Sequence, residues 1–192
     1  MLKSIKGTKT EKHLLTAFAG ESQAKMRYTY FSSKAKKEGF EQIAAVFMET
    51  ADNEKEHAKR FFSFLEGGSL EITATFPAGI VDNTIKNLEF SVVGENEEHT
   101  KLYPQAIQVA DEEGFHEIAE CFRRICVAEK YHELRYLKFL ENLQNDKVFK
   151  KNIPIKWRCR NCGYVYESKE ALDECPACLH GKAYIEELAA NF

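Results

Sequence analysis

Two stretches of the chain carry the same Glu-x-x-His unit, Glu54-Lys55-Glu56-His57 and Glu129-Lys130-Tyr131-His132, 75 positions apart. On a helix, residues three apart sit about one turn apart on one face, so each carboxylate and its imidazole reach a single ion. The surroundings repeat as well. Ile43, Ala44, Phe47, Phe64, Leu65 and Glu66 recur as Ile118, Ala119, Phe122, Phe139, Leu140 and Glu141. Lys37-Glu38-Gly39-Phe40 recurs as Glu112-Glu113-Gly114-Phe115. Two copies of a metal-binding unit predict a two-metal site.

Two more carboxylates interrupt apolar seams at matching places, in Ala19-Gly20-Glu21 and Val93-Gly94-Glu95. One such Glu is ordinarily a boundary residue. Four at corresponding places, with two imidazoles, make a ligand set, because charge on a core stripe needs a partner or a metal. A Glu from each of two helices plus Glu-x-x-His from the other two is the arrangement of di-iron and di-manganese carboxylate bundles. Hard oxygens with two imidazoles favour iron or manganese over a structural zinc.

The repeats differ by one residue. Glu21 and Glu95 are offset by 74, but Tyr28 and Tyr103 by 75, so the third helix holds an extra residue between its Glu and its Tyr. A single insertion is commonly absorbed as a π-bulge, often at a functional site. In that stretch Glu98 stands three residues after Glu95 where the first repeat offers Ala24, and is expected as a seventh ligand. His99 is the weaker competitor, expected in a supporting or surface role. Tyr28 and Tyr103 are placed to hydrogen-bond ligating carboxylates or exchange protons with a bound oxidant; plain core filling is the alternative. Cys121 and Cys126 read as small buried apolar residues.

Near the C-terminus, Cys159-x2-Cys162-x12-Cys175-x2-Cys178 is a tetrathiolate signature, compatible with zinc or iron. So short a segment cannot bury enough core to fold alone, so the metal must contribute to folding. Spacing does not decide between the metals. The neighbouring site argues for iron, since a tetrathiolate iron passes single electrons and a two-iron centre needs them delivered. His180 is expected at the surface.

Four helices must position these residues. Thr8-x-x-Glu11 is a capping-box pattern opening the first. Gly39-Phe40 and Gly114-Phe115 are glycine stops followed by an apolar contact, the Schellman signature. Gly67-Gly68 is expected to end the second helix, residues 69–82 to connect, and the third to run from about Asn83 to Glu113. Two antiparallel hairpins joined by a long crossover give an all-α ferritin-like four-helix bundle. The expected domains are the bundle over 1–146, a linker over 147–156 and a small β-rich tetrathiolate unit over 157–192. That linker is long enough for the C-terminal unit to leave its own bundle.

The 192 residues carry a net charge of −3 and a pI near 6.1, giving no electrostatic grip on nucleic acid or membranes. No apolar run approaches the roughly 18 residues of a membrane span. No secretion signal is visible, and paired CxxC units suit a reducing cytoplasm.

Together these motifs resemble rubrerythrin. The resemblance runs from about Lys3 to Phe192 and rests on Ala17-Phe18-Ala19-Gly20-Glu21-Ser22-Gln23-Ala24, Glu54-x-x-His57-Ala58-Lys59-Arg60, Gly94-Glu95-x-x-Glu98, Glu129-x-x-His132-Glu133 and Cys-x-x-Cys-Gly-Tyr. It implies a non-haem di-iron peroxide reductase acting in oxidative-stress defence, with Glu21, Glu54, His57, Glu95, Glu98, Glu129 and His132 on the iron pair. It implies a third iron on Cys159, Cys162, Cys175 and Cys178 in a rubredoxin-like C-terminal domain, and a homodimer that brings one chain's tetrathiolate near its partner's iron pair. It also implies exchange of His57 for Glu98 as iron changes oxidation state. Electrons would come from a rubredoxin or an NADH-linked reductase, and the substrate would be hydrogen peroxide. The alternatives are a ferritin-type ferroxidase or iron store, and a metal-sensing bundle with a zinc ribbon.

Overall fold

A computed structural model describes residues 3–189; the ends of the two expected domains, 1–2 and 190–192, lie outside the described residues. The helices are α1 (Lys9–Lys37), α2 (Glu41–Phe62), α3 (Thr84–Glu97), α4 (Tyr103–Glu112) and α5 (His116–Gln144). A π-helical turn, Glu98–Leu102, joins α3 to α4 without a break, so the bundle has four rods. The extra residue of the second repeat is absorbed there. Tyr103 N–H bonds Glu98 O, five residues back, and Pro104, which has no N–H to give, follows directly.

Both hairpin turns close as the glycines require. Phe40 N–H donates to Ala35 O at 2.9 Å and Phe115 N–H to Ala110 O at 2.7 Å. Gly39 and Gly114 sit at φ +83° and +79°, where a Cβ is disfavoured. Each turn also supplies a glutamate to the other hairpin. Glu38 accepts from Thr84 N–H (2.8 Å) and its hydroxyl (2.6 Å). Glu113 accepts from Thr10 N–H (2.8 Å), its hydroxyl (2.6 Å) and Lys9 N–H (3.1 Å). Each carboxylate thus fills orphan donors at a helix N-terminus, where the helix dipole favours negative charge. The sequence repeat is therefore a spatial pseudo-twofold. At α1 itself Thr8 caps the Glu11 N–H, while Glu11 reaches Gly7 N–H and not the Thr8 amide.

Two expectations shift. Helix α2 ends at Phe62, five residues before Gly67. Past it the chain tightens, so that Phe64 and Leu65 pack on the core around Phe61 and Phe122. Glu66 then accepts from Ile5 N–H at 2.9 Å and the Ser4 hydroxyl at 2.6 Å. In the stretch 147–156, expected as linker, Lys150 already begins strand β1 (Lys150–Cys159). β1 pairs antiparallel with β2 (Val165–Glu170) and β3 (Ile185–Glu187), in the order β2-β1-β3. Trp157 fills its centre, fully buried, with its indole N–H on Ser168 O at 2.8 Å. The sheet unit rests on the α1–α2 end of the bundle: Phe149 stacks on Phe40, ring centroids 6.1 Å apart.

Inside the bundle, one apolar cluster (Leu14, Phe61, Ile118, Phe122) and another (Phe31, Ile43, Phe47, Leu88) lie on either side of the buried glutamates. We predict that Glu113→Ala, which uncaps α1, destabilises the protein by about 1 kcal/mol, a drop of roughly 2–4 °C in Tm. Burial works to raise the Glu113 pKa, but the bonds from Thr10 and Lys9 outweigh it and hold it below the usual range. A depressed carboxyl stabilises above its unfolded pKa and loses that effect as pH falls. The Tm gap between wild type and variant should therefore close below about pH 4, as thermal melts followed by circular dichroism would show.

Candidate metal centres

The four rods bring six side chains together in two overlapping groups: Glu21, Glu54, His57 and Glu129, and Glu54, Glu95, Glu129 and His132. Within each group the donor atoms lie within 4.8 Å of one another. Glu54 and Glu129 belong to both. Glu54 turns Oε2 toward His57 Nδ1 (2.9 Å) and Oε1 toward His132 Nδ1 (3.1 Å). Glu129 turns Oε1 toward His57 (2.9 Å) and Oε2 toward His132 (2.8 Å). One oxygen offered to each side is the geometry of a bridging carboxylate. Glu21 and Glu95 close the two ends, at 3.9 Å from His57 Nδ1 and 3.5 Å from His132 Nδ1.

The electrostatics fit a pair of hard cations. Glu21 Oε2, Glu54 Oε1, Glu95 Oε2, both oxygens of Glu129 and His132 Nδ1 are buried without a hydrogen-bond partner. Several lie close to one another yet are poorly aligned for hydrogen bonding, as donors converging on an ion are. Without metal the charges frustrate each other. Burial, then Glu129, Glu54 and Glu98, raise Glu21 well above the carboxylate range. Burial and Glu54 lift Glu95 to about 8. Burial opposes charge on the imidazoles, but contacts with Glu129 and Glu54 outweigh it, holding His57 at about 10 and His132 at about 12. Burial likewise opposes charge on Glu54, and the two imidazoles bring it down to about 2.

The tyrosines act across the pseudo-twofold. Tyr28 on α1 donates to Glu95 Oε1 at 2.5 Å, and Tyr103 on α4 donates to Glu21 Oε1. Each bond engages one oxygen and leaves the other facing the site. Burial, then the facing carboxylates, raise both hydroxyls well above 10, so they remain donors. Asn53 Oδ1 lies 3.3 Å from His132 Nε2; accepting its N–H there turns the Nδ1 lone pair inward. Asn53 escaped sequence reasoning because it falls between the seam positions of α2.

Glu98, on the π turn, is half-buried and outside both four-donor groups, where His57 is the fourth donor of the first. It is near enough that burial, then Glu95 and Glu129, raise its carboxyl well above the usual range. His99 pairs with Glu133 at 2.6 Å and is half-buried. Cys121 and Cys126 are half-buried and not fully buried, packed against the apolar cluster beside Phe122.

In the sheet unit, Cys159, Cys162, Cys175 and Cys178 bring four sulfurs within 4.8 Å of one another. The two loops repeat one backbone pattern. Gly163 N–H bonds Cys159 O and Leu179 N–H bonds Cys175 O, both at 2.9 Å, with Gly163 and Leu179 at φ +80° and +60°. Four convergent thiols without a disulfide fit one tetrahedral thiolate-loving ion. His180 turns its Nδ1 to Cys178 O at 3.2 Å, outside the sulfur cluster.

Fold and sites define a ferritin-like di-iron carboxylate protein with an appended tetrathiolate unit. The sequence profile described as Rubrerythrin matches residues 12–140, and that described as Rubrerythrin, rubredoxin-like domain, matches 157–186. The chain is 62% identical over 192 residues to a rubrerythrin of Porphyromonas gingivalis, covering all of this chain and 96% of that one. It is 56% identical over 191 residues to a rubrerythrin of Nitratidesulfovibrio vulgaris, covering all of both. Among solved structures it is similar to partially reduced nigerythrin, with TM-score 0.63, 28% identity and coverage of 97% and 92%. The chain belongs to the rubrerythrin family. Among the described residues, no helix is long and apolar enough to cross a membrane.

Metal loading must displace protons from Glu95, His57 and His132, held at about 8, 10 and 12 in the metal-free fold, and competes with the proton on the raised Glu21. We predict release of at least about three protons per ion pair bound at pH 7, measured by calorimetry in buffers of different ionisation enthalpy. The metal-free protein should also lose stability from pH 5 to pH 8. Across that window the unfolded carboxyls and imidazoles give up protons that Glu95, His57 and His132 largely retain in the fold, so the unfolded state binds fewer protons. A metal-free Tm that rises over that range would contradict this picture.

Proposed function

We propose that the protein is a peroxide reductase, converting hydrogen peroxide to water with electrons relayed through its tetrathiolate site. The carrying observation is a pair of four-donor groups sharing Glu54 and Glu129, in one chain with four convergent cysteines. The solved nigerythrins are described in partially reduced, mixed-valent and all-ferrous states, so that family member's metals change oxidation state. Two ferrous ions, when bound, supply the two electrons that hydrogen peroxide and two protons need to become two waters.

The chain's own residues do the rest. Glu54 and Glu129 would bridge, and Glu21, Glu95 and the two histidines would hold the ends. Tyr28 and Tyr103 fix the end carboxylates and keep protons at their hydroxyls beside the site. Glu98 and His57 are candidates for one position. A carboxylate favours the ferric state more than an imidazole does, so their exchange would suit the oxidised and reduced forms in turn. Glu98→Ala should keep both irons but lower the ratio of peroxide to dioxygen oxidation rates of the diferrous protein. An unchanged ratio at full iron content would make Glu98 a bystander.

A homodimer is part of the reading. The sheet unit sits against Phe40, and Glu54 lies 14 residues further along the chain, mostly on α2, about 20 Å away at ~1.5 Å per residue. Electron transfer falls steeply with distance, so a second chain's cysteine site is the better donor. An external rubredoxin or an NADH-linked reductase would then refill it. Cys175→Ser, lacking the tetrathiolate iron, should leave single-turnover oxidation by peroxide within about twofold of wild type. Multiple turnover with a reductase should fall at least tenfold. Survival of both rates would remove the relay role. The ferroxidase alternative draws only on the shared fold.

A further inference from the structure

A cavity of about 540 Å³ lies between α1, residues 73–77 and the α3–π–α4 rod, and reaches Glu98 and Tyr103 at the metal cluster. Hydrogen peroxide, with two heavy atoms, needs almost none of that space. The cavity is not a packing accident of large side chains, because glycines open it. Gly20 and Gly94 occupy equivalent positions in α1 and α3, one residue before Glu21 and Glu95, and both line it. Glycine is the weakest helix former after proline, so mid-helix glycine needs a reason. Close packing is not that reason. A Cβ at Gly20 would meet only Phe76, at 3.8 Å, and one at Gly94 would meet nothing within 4 Å.

The walls have the chemistry of an amphiphile's site. Phe76, Leu102 and Ala106 give an apolar surface. Gln23 and Arg27 stand on the same lining; Gln23 Oε1 and Arg27 Nε are buried without partners, an acceptor and a donor that rotation of either side chain would turn to a ligand. We propose that this cavity seats the organic part of an alkyl or aryl hydroperoxide, making organic hydroperoxides a second substrate class. The inference rests on the peroxide-reductase reading above. Reduction breaks the O–O bond, takes one electron from each of two ferrous ions and two protons from solvent, and yields one alcohol and one water.

The test uses the iron-loaded full chain with cumene hydroperoxide and hydrogen peroxide. Binding of the product alcohol, 2-phenyl-2-propanol, is read separately by calorimetry without turnover. Wild type should reduce cumene hydroperoxide with a kcat/KM within about tenfold of that for hydrogen peroxide and bind the alcohol saturably. Gly94→Leu, which fills open space and favours the helix, should lower the organic-to-hydrogen-peroxide ratio at least tenfold and abolish alcohol binding, with iron content checked. Leu102→Trp, from the partly exposed rim, should shift both readouts the same way if Gly94→Leu does not fold. Reduction of hydrogen peroxide without cumene hydroperoxide overturns this inference alone. Equal organic rates in wild type and both variants also overturn it. Loss of both activities in the iron-loaded wild type overturns the underlying reading as well.

Discussion

Five carboxylates, Glu21, Glu54, Glu95, Glu98 and Glu129, converge at the middle of a four-helix bundle, and most of the architecture answers their mutual repulsion. Without cations, two imidazoles and retained protons must offset the charge, as the raised Glu21, Glu95 and Glu98 and the depressed Glu54 show. Burying one uncompensated charge is expensive enough to unfold a marginal domain. The fold therefore holds the carboxylates from outside. Apolar clusters flank them, tyrosines tie Glu21 and Glu95 to the opposite hairpin, and Glu38 and Glu113 lock the helix starts. Divalent ions complete what the scaffold leaves unsatisfied.

The pseudo-twofold explains why so much could be read from residues alone. Glu-x-x-His recurs because the two halves make the same contacts, and turn glycines with a following Phe were visible for the same reason. The π turn was readable from the change of offset between 74 and 75. Pro104, just past it, was a second signal, since a donor-less residue fits where the hydrogen-bond register is already broken. What escaped has physical causes. The end of α2 depends on where Phe64, Leu65 and Glu66 find partners, which are distant in sequence. The crossing of Tyr28 to Glu95 and Tyr103 to Glu21 is a tertiary fact that no spacing encodes. The start of β1 at Lys150 likewise depends on its pairing with Glu170.

Departure from symmetry is where the site acquires direction. A symmetric bundle would give two equivalent ends. The inserted residue instead places Glu98 near the carboxylates but outside both four-donor groups, and the cavity on that side is lined by Glu98 and Tyr103. The cysteine unit is separate in both sequence and chemistry. Its soft sulfurs select a different coordination from the hard oxygens of the bundle, so one chain holds two kinds of metal site. It sits against Phe40, beside the turn between α1 and α2.

Under the proposed function, Glu54 and Glu129 would bridge two irons that act together on peroxide. Anaerobic titration of the fully reduced protein with hydrogen peroxide, followed by Mössbauer spectroscopy, tests it most directly. One peroxide should oxidise both ferrous ions of the bundle and yield a magnetically coupled ferric pair. Uncoupled ferric ions, or oxidation of only one iron per peroxide, would contradict it.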